Sequence, residues 1–519
     1  MTLVLGAFVK VAKRHPAATL AGITLAAVTV RICCLPVLPR PVALIPDEHS
    51  HLLLARTLSA GRISNPPHPM WHHFETLFVL QRPTYASVYP PVQGTILALG
   101  WLLFGEPWAG VLASMAGMCA AIVWMLRAYV TRIWALYGGL LAGAGHGVLS
   151  YWVNSYWGGA GAAIGGALVF GALPRMLSKL RRRDAAALGA GLFLLANSRP
   201  FEGFLVAVPV AYRLASRFGR RGPQWRLHAP ALGAVILAGA AFTCWYNWRV
   251  TGNPFRLPYN EYIRQYAAAP AFVWQGPLKA PEYTDPVLRD AHISFGIDYA
   301  EYSTLAGAAR RSYRKLARIT TFYLGPFWPL ALLALPEFVR IRRHRLVASS
   351  LALCVVGILL TVGFQVHYAA PCTSVFVLLL VDTFRRVRRL WRNAGAIFLI
   401  AAPPLWIGAL VMGRSGPAPA NSLTQRPAAQ ERLAAESGRH VVLVHYGPSH
   451  PLGQEWVYNE PDIDRGQVIW ARDLGRERNR RLMAYYPERT FWLVEPDQAV
   501  PRLSRCMADC VVSAGANPR

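Results

Sequence analysis

The feature that most constrains this chain is a succession of apolar segments separated by short basic loops. A helix needs about 20 apolar residues to cross the hydrocarbon core of a bilayer, because it rises about 1.5 Å per residue. The segments of this kind are 17–37, 107–126, 133–152, 158–177, 185–196, 204–214, 229–245, 320–338, 346–366, 373–384 and 394–412. The pattern predicts a polytopic α-helical membrane protein with about eleven crossings, of which two are short.

Composition supports the membrane class. Of the 519 residues, 54% are hydrophobic and only 15% are charged, and the mean hydropathy is +0.28. These values are too apolar for an ordinary soluble domain. The net charge of +28 comes from short clusters between apolar runs. A nucleic-acid-binding surface would need a continuous basic patch, so we predict no nucleic-acid partner.

The basic clusters also predict the orientation of the chain. Lys and Arg in short loops stay on the cytoplasmic side, and here the clusters recur at every second loop. Lys10, Lys13 and Arg14 precede an uncleaved first helix, so we place the N-terminus in the cytoplasm of a bacterial-type inner membrane. The apolar run 92–104 is too short to cross and is interpreted as a helix at the outer interface. The C-terminal part then lies outside.

The chain divides into three parts. Residues 1–413 form the membrane domain, with a first outer loop over 40–107, and 414–430 is a linker rich in Pro, Ala and Gln. Residues 431–519 predict a small α/β domain, with strands at 440–446 and 490–495 and a helix at 476–485. The spacing of Cys506 and Cys510 fits a local disulfide or no bond at all.

The first outer loop carries adjacent carboxylates, Asp47 and Glu48, directly after the first apolar segment. Acidic residues at the start of a helix favour the helix dipole, which is a purely structural explanation. Alternatively, a carboxylate at a partly desolvated interface binds protons more tightly and could act as a general base. With His49 and His51 beside it, the pair could also hold a divalent metal ion. However, two histidines at positions i and i+2 of a helix point apart.

The same loop resembles that of the GT-C membrane glycosyltransferases. The segments that carry the likeness are Pro46-Asp47-Glu48, 54–62, 89–100 and Leu103-Phe104-Gly105. They are similar to the protein O-mannosyltransferase and lipid A aminoarabinose transferase group, which has an acidic motif after the first helix, an Ala-Arg helix ending in Gly, and a Pro-Pro helix on the outer face. The resemblance implies sugar transfer from a polyprenyl-phosphate donor, with Asp47 as the catalytic carboxylate and Glu48 as its partner.

One departure from that group concerns a second acidic residue. Members of the group often carry one at the outer start of a later helix, and the matching turn 154–159 has none. Arg199 and Glu202 lie in the turn 197–203 between two short apolar segments, and Glu202 is a candidate replacement. Irregular backbone at membrane depth is tolerated where it lines a cavity, although a plain hairpin with an Arg-Glu pair explains the turn equally well.

Two further segments offer polar groups for a substrate. His367 and Tyr368 lie where the related enzymes have an Arg-Tyr-Leu-x-Pro segment, so His replaces the anchoring Arg; both are also ordinary interfacial residues. In the loop 248–318, Arg256 and Tyr259 could bind a phosphate. The basic cluster at 310–318 favours anionic lipid headgroups instead.

From these features we predict a glycosyltransferase that uses a polyprenyl-phosphate-linked sugar at the extracytoplasmic face. The acceptor would be a lipid, a glycan or a protein. The sequence contains no Walker loop, no dinucleotide fingerprint and no HExxH motif. The alternative function is a transporter or flippase of lipid-linked saccharides, which would also need an outer cavity, but which would be expected to show related halves.

Overall fold

The computed structural model describes residues 11, 14–178, 181–218, 229–413, 422–448, 450–451, 453–498 and 501–506. Helices make up most of the membrane domain within these residues. In chain order they are α1 (Pro16–Cys33), α2 (Pro46–Ser59), α3 (Pro91–Phe104), α4 (Pro107–Leu126), α5 (Arg132–His146), α6 (Ala160–Ser178), α7 (Arg182–Ala196), α8 (Pro200–Phe218), α9 (Ala229–Thr251), α10 (Pro258–Tyr266), α11 (Pro286–Ala300), α12 (Leu305–Leu324), α13 (Trp328–Arg340), α14 (Arg345–Leu359), α15 (Thr373–Leu390) and α16 (Arg392–Met412).

Several of these helices are long and apolar enough to cross a membrane. Among the described residues there are six such stretches, namely Pro107–Leu126, Ala160–Ser178, Pro230–Thr251, Leu305–Arg340, Val366–Leu390 and Asn393–Met412. Shorter apolar helices include Ala17–Cys33, Pro91–Phe104 and Arg345–Leu359. The chain is therefore a multi-pass helical membrane protein. The larger number of about eleven crossings stays a prediction.

The structure differs from the predicted segments where the backbone breaks. The segment 320–338 is divided between α12 and α13, because Gly325 adopts a positive φ of 57° and Pro326 follows it. The segment 133–152 ends as a helix at His146, and the chain from 147 to 157 is irregular. Arg31 from α1 supports this irregular part by donating to Asn154 Oδ1 at 2.7 Å. Its polar groups are thus satisfied by protein.

The first outer loop contains α2, a short 3-10 helix (Trp71–Phe74), a two-stranded antiparallel hairpin of β1 (Val79–Leu80) and β2 (Ala86–Ser87), and α3. α3 begins at the predicted Pro-Pro pair and ends at Gly105, which has a φ of 69°. Its last turn exposes Leu102, Leu103 and Phe104. Exposed apolar side chains of this kind suit an interfacial position.

The C-terminal part is a small α/β unit. It consists of α17 (Ser422–Ala435), β3 (His440–Val444), β4 (Val468–Arg472), α18 (Arg476–Tyr485), β5 (Thr490–Glu495) and β6 (Arg502–Arg505). The strand order is β4-β3-β5-β6, with β3 parallel to both neighbours and β6 antiparallel to β5. The two predicted strands and the predicted helix are confirmed, whereas β4 and β6 were not predicted.

The predicted linker and disulfide fall partly on residues outside this description. Residues 414–421 of the linker lie outside the described residues, and from Ser422 the chain is already helical. Cys506 is disulfide-bonded, which agrees with one of the two predicted alternatives. Cys510 lies outside the described residues.

The first outer loop and the C-terminal unit share one hydrophobic core. Leu53, Phe74 and Tyr85 from the loop pack in the same buried cluster as Leu443 and Leu482 from the C-terminal unit. A shared core of this kind removes apolar surface of both parts from water. The C-terminal unit is therefore packed against the loop that carries Asp47.

Two glycines allow the elements around Asp47 and His367 to approach closely. A Cβ at Gly94 of α3 would overlap the Leu54 side chain of α2, and a Cβ at Gly166 of α6 would overlap the Pro371 carbonyl oxygen. Any larger residue would force these elements apart. Both glycines thus position segments that carry candidate functional residues.

Candidate functional site

Glu48 organises the start of α2. Its Oε2 accepts hydrogen bonds from the backbone N–H groups of Leu44 (2.9 Å) and Ile45 (3.3 Å), and its Oε1 accepts one from Tyr156 N–H (2.9 Å). A glutamate at the third helical position that reaches back to the preceding backbone is a common helix N-terminal arrangement. Because both oxygens bind the backbone and the side chain is 3% exposed, the geometry favours a positioning role for Glu48. The resemblance had implied a catalytic partner.

Asp47 has a different environment, although it is the adjacent residue. Its side chain is half-buried, and its Oδ1 accepts a hydrogen bond of 2.5 Å from the Tyr89 hydroxyl. Burial raises the pKa of Asp47, while the Tyr89 hydrogen bond and the Arg199 charge partly oppose that increase. A carboxylate with a raised proton affinity and an accessible edge is suited to general base chemistry.

Tyr89 also connects Asp47 to His51. The His51 ring stacks on the Tyr89 ring with a centroid distance of 4.4 Å. Burial lowers the pKa of His51 to about 3, so this imidazole is neutral near pH 7. Its Nδ1 is buried and has no hydrogen-bond partner in the described part of the chain. His51 and Tyr89 are thus neutral polar side chains next to the Asp47 carboxylate.

Arg199 is the cation at the centre of the predicted site. Its guanidinium lies over the Tyr368 ring, 4.6 Å from the ring centroid. It interacts electrostatically with Asp47, Glu202, His51 and His367. Among the described residues no carboxylate forms an ion pair with it, so its charge is available to an anionic ligand.

Glu202 and His367 lie in the same region. Glu202 is 5% exposed and His367 is 2% exposed. His367 Nδ1 is 2.7 Å from the Tyr151 hydroxyl. Since Arg199 acts on both side chains as well as on Asp47, the structure brings together the three segments that were singled out separately in the sequence.

Tyr259 lines the open side of this cluster, and Arg256 does not. Tyr259 is 38% exposed, yet burial and the Asp47 charge raise its pKa. This combination is expected of a side chain that lines a recess. Many protein atoms surround such a side chain, while one edge of it stays accessible to solvent. Arg256 instead donates to Glu261 Oε2 at 3.0 Å, and Arg264 donates to Glu261 Oε1 at 2.7 Å. Arg256 is therefore ion-paired with Glu261, and its phosphate-binding role stays a prediction.

His49 points away from His51, as the helical spacing predicted. Its ring stacks on Tyr458 of the C-terminal unit, with a centroid distance of 4.0 Å and an interplanar angle of 9°. Within the described residues no group of three or more His, Cys, Asp and Glu side chains could hold a metal ion. Glu48, His49 and His51 in particular do not converge on one point, so these residues do not fit a divalent metal site.

We define the candidate recess as Asp47, His51, Tyr89, Arg199, Glu202, Tyr259, His367 and Tyr368. Sequence reasoning missed Tyr89, although it is the first residue of the segment 89–100 that carries part of the family resemblance. A tyrosine directly before the Pro-Pro helix was the available signal.

The chain matches no family model and no curated protein. Its fold is similar to that of the crystal structure of ArnT from Cupriavidus metallidurans in the apo state, with a TM-score of 0.53 at 14% identity over 91% of this chain and 92% of that chain. The structure of ArnT bound to undecaprenyl phosphate gives a TM-score of 0.55 at 13% identity over 94% and 97%. ArnT is a lipid A aminoarabinose transferase of the GT-C superfamily, so the predicted GT-C-like fold is confirmed.

Proposed function

We propose that this protein is a membrane glycosyltransferase that transfers a sugar from a polyprenyl-phosphate-linked donor to an acceptor at the extracytoplasmic face. The observation that carries the proposal is that Asp47, a carboxylate of raised pKa, lies close enough to Arg199 to feel its charge. Arg199 itself has no ion-paired carboxylate among the described residues. This pairing lies in a chain with the fold of ArnT, a protein that has been crystallised with undecaprenyl phosphate.

In the proposed reaction Asp47 acts as the general base. Its free carboxylate oxygen takes the proton of an acceptor hydroxyl, and the acceptor oxygen forms a bond to the anomeric carbon of the sugar. The bond between that carbon and the phosphate oxygen breaks, and its electron pair leaves with the polyprenyl phosphate. Arg199 offsets the negative charge that develops on the phosphate.

The neutral residues of the recess supply orientation. Tyr89 donates a hydrogen bond to Asp47 Oδ1, which fixes the orientation of the carboxylate. Tyr368 fixes the plane of the Arg199 guanidinium through the ring contact. His367, bonded to Tyr151, and Tyr259 provide polar edges for the sugar or the phosphate. Glu202 interacts electrostatically with Arg199 without forming an ion pair, and this attraction helps to hold the cation in the recess.

The test uses the full chain in lipid nanodiscs and a panel of polyprenyl-phosphate sugars with candidate lipid and glycan acceptors. We expect release of polyprenyl phosphate by the wild type and a loss of about 10²- to 10⁴-fold in Asp47→Asn, the range that general bases contribute. Asp290→Asn is the matched control, because Asp290 is exposed and, among the described residues, forms an ion pair with Arg289 alone. Full activity of Asp47→Asn would reject the assignment.

The transporter interpretation is not favoured, because the fold neighbours are glycosyltransferases. The transporter function predicts a different outcome from the glycosyltransferase function when the protein is assayed in nanodiscs and in vesicles. A flippase would move the lipid-linked sugar between leaflets without cleaving the sugar-phosphate bond. Product analysis in the assay above therefore separates the two functions.

A further inference from the structure

Residues 456–460 of the C-terminal unit, here called the wall segment, run along helix α2. The Tyr458 ring stacks on His49 at 4.0 Å, the Asn459 carbonyl oxygen accepts a hydrogen bond of 3.1 Å from Tyr85, and Glu460 forms an ion pair with Arg56. His49 and Arg56 are seven residues apart, so the contacts extend over about 10 Å of the helix that begins with Asp47.

The rest of the C-terminal unit holds the wall segment in place. Arg426 donates to the carbonyl oxygens of Trp456 (2.7 Å) and Tyr458 (2.8 Å). The Asn459 side chain exchanges two hydrogen bonds with the backbone of Trp470, at 2.8 and 2.9 Å. These bonds fix the segment to strand β4 and to α17, so the position of Tyr458 does not depend on a bound ligand.

The Tyr458 hydroxyl lies beside the Thr76 hydroxyl, and neither buried group has a hydrogen bond of normal geometry with a described residue. The Tyr458 side chain is only 9% exposed. A buried hydroxyl without a partner costs about 1–3 kcal/mol, so most such groups are satisfied. Asp47 lies near enough to raise the pKa of Tyr458. An unsatisfied hydroxyl close to the proposed base is suited to a polar group of a ligand.

A cleft of about 460 Å³ continues from the end of the wall segment. It is lined by Arg56, Arg62 and Trp101 of the membrane domain and by Glu460 and Arg465 of the C-terminal unit. Trp101 belongs to α3, whose neighbouring Leu102, Leu103 and Phe104 are 61–70% exposed. The cleft therefore adjoins the apolar face that suits the membrane interface, and a lipid-anchored molecule could reach it.

We infer that Tyr458 is an acceptor-binding residue supplied by the C-terminal unit, and that the acceptor is a hydroxyl-bearing headgroup anchored in the membrane. Its hydroxyl forms a hydrogen bond with the headgroup while the reacting hydroxyl lies at Asp47. The inference rests on the proposed function. In the proposed function the donor phosphate binds at Arg199, which contacts Tyr368, whereas the wall segment contacts His49 and Arg56. Tyr458 can therefore bind the acceptor without competing with the donor phosphate.

The decisive variant is Tyr458→Phe, which keeps the ring stacking on His49 and removes only the hydroxyl. We expect the KM for the acceptor to rise about 2- to 10-fold, the equivalent of one hydrogen bond, with kcat, the donor KM and the thermal unfolding midpoint unchanged. A merely structural tyrosine would not change the acceptor KM when its ring is retained. Tyr485→Phe is the control, because the Tyr485 side chain is exposed and its hydroxyl donates to Asp464, its one hydrogen-bond partner in the described part of the chain.

The measurement uses full-length protein in nanodiscs and the donor and acceptor pair that the wild type converts best. An unchanged acceptor KM in Tyr458→Phe would overturn the inference, and so would a loss confined to kcat. A wild type that releases no polyprenyl phosphate from any donor would reject the proposed function itself, together with this inference. Failure of the proposed function is therefore seen in the wild type. Failure of this inference alone is seen in Tyr458→Phe, while the wild type remains active.

Discussion

Adjacent carboxylates, Asp47 and Glu48, take different parts because their surroundings differ. Glu48 uses both oxygens on backbone N–H groups, whereas Asp47 Oδ1 accepts its hydrogen bond from the Tyr89 side chain. Burial raises the pKa of both carboxyl groups. The proton affinity of Asp47 therefore has a chemical use, while Glu48 stabilises the helix start on which Asp47 depends.

Replacing Tyr89 with Phe should shift the pH dependence of the transfer. The Tyr89 hydrogen bond favours the ionised form of Asp47, so its loss raises the pKa of Asp47 further. A general base is active above its pKa, and the acidic limb of kcat/KM should move to higher pH. His51 does not contribute to this limb, because burial lowers its pKa to about 3. At neutral pH we expect a decrease of roughly 10-fold, in line with the loss of one hydrogen bond to a charged group.

The control for that experiment is Tyr283→Phe. The Tyr283 hydroxyl donates to the Tyr266 carbonyl oxygen, outside the recess, and has no other hydrogen bond within the described residues. An acidic limb that stays in place in Tyr89→Phe would contradict the proposed pairing of Tyr89 with the base.

Replacing Glu48 with Gln should reduce stability more than a typical surface substitution. An amide has one acceptor oxygen instead of two, and its NH₂ group would face backbone donors. We expect a loss of about 1–3 kcal/mol, seen as a lower unfolding midpoint in detergent. Glu106→Gln is a comparison variant, because Glu106 also caps a helix, through a hydrogen bond to Trp108 N–H, but is more exposed. Equal stability of Glu48→Gln and wild type would argue against the positioning role.

At the scale of elements, Arg472 at the end of β4 connects three separate parts of the chain. It is fully buried, its Nε donates to the Glu75 carbonyl oxygen at 2.6 Å, and it forms ion pairs with Asp285 (3.1 Å) and Glu455. Glu75 belongs to the first outer loop, and Asp285 is the N-cap of α11. One side chain thus holds the C-terminal unit against both outer loops.

Arg472→Met should weaken the attachment of the C-terminal unit. Removing the cation leaves the buried carboxylates Glu455 and Asp285 without their ion-pair partner, which costs about 3–5 kcal/mol. We expect faster proteolytic release of the C-terminal unit and lower transfer activity, because Tyr458 would no longer be held beside α2. Arg481→Met is the control, since the Arg481–Glu477 pair is largely exposed and such pairs contribute about 0–1 kcal/mol. Equal protease resistance of the two variants would refute this role of Arg472.

At the scale of the whole molecule, the alternation of basic loops predicts which face of the protein meets which compartment. We expect Gln498→Cys, in the C-terminal unit, to react with a membrane-impermeant thiol reagent in intact cells. Arg343→Cys, in the basic turn between α13 and α14, should react only after permeabilisation. Both positions are exposed, so a difference in labelling reports the compartment. Free cysteines are replaced by Ser in the background. Labelling of Arg343→Cys from outside would invert the proposed orientation.

Much of the fold could be predicted because apolar segments and basic loops are local patterns. The strands at 440–444 and 490–495 and the helix at 476–485 were also local, as each showed its own periodicity. The sequence patterns did not predict β4, β6 or the helix break at Gly325. The crossing number depends on how short helices such as α14 lie in the bilayer, which hydropathy alone does not decide.

For the candidate site, the sequence by itself determined the carboxylate, the helix on which it stands and the resemblance that assigned it a role. Only the tertiary structure decided which neighbours it has. Arg199 and His367 lie at the ends of different helices, and 374 residues separate Tyr85 from Asn459 in the wall segment. The same packing forms the ion pair between Arg256 and Glu261 and the hydrogen bonds between Glu48 and the backbone. Long-range contacts of this kind depend on how helices pack, and no short sequence window contains that information.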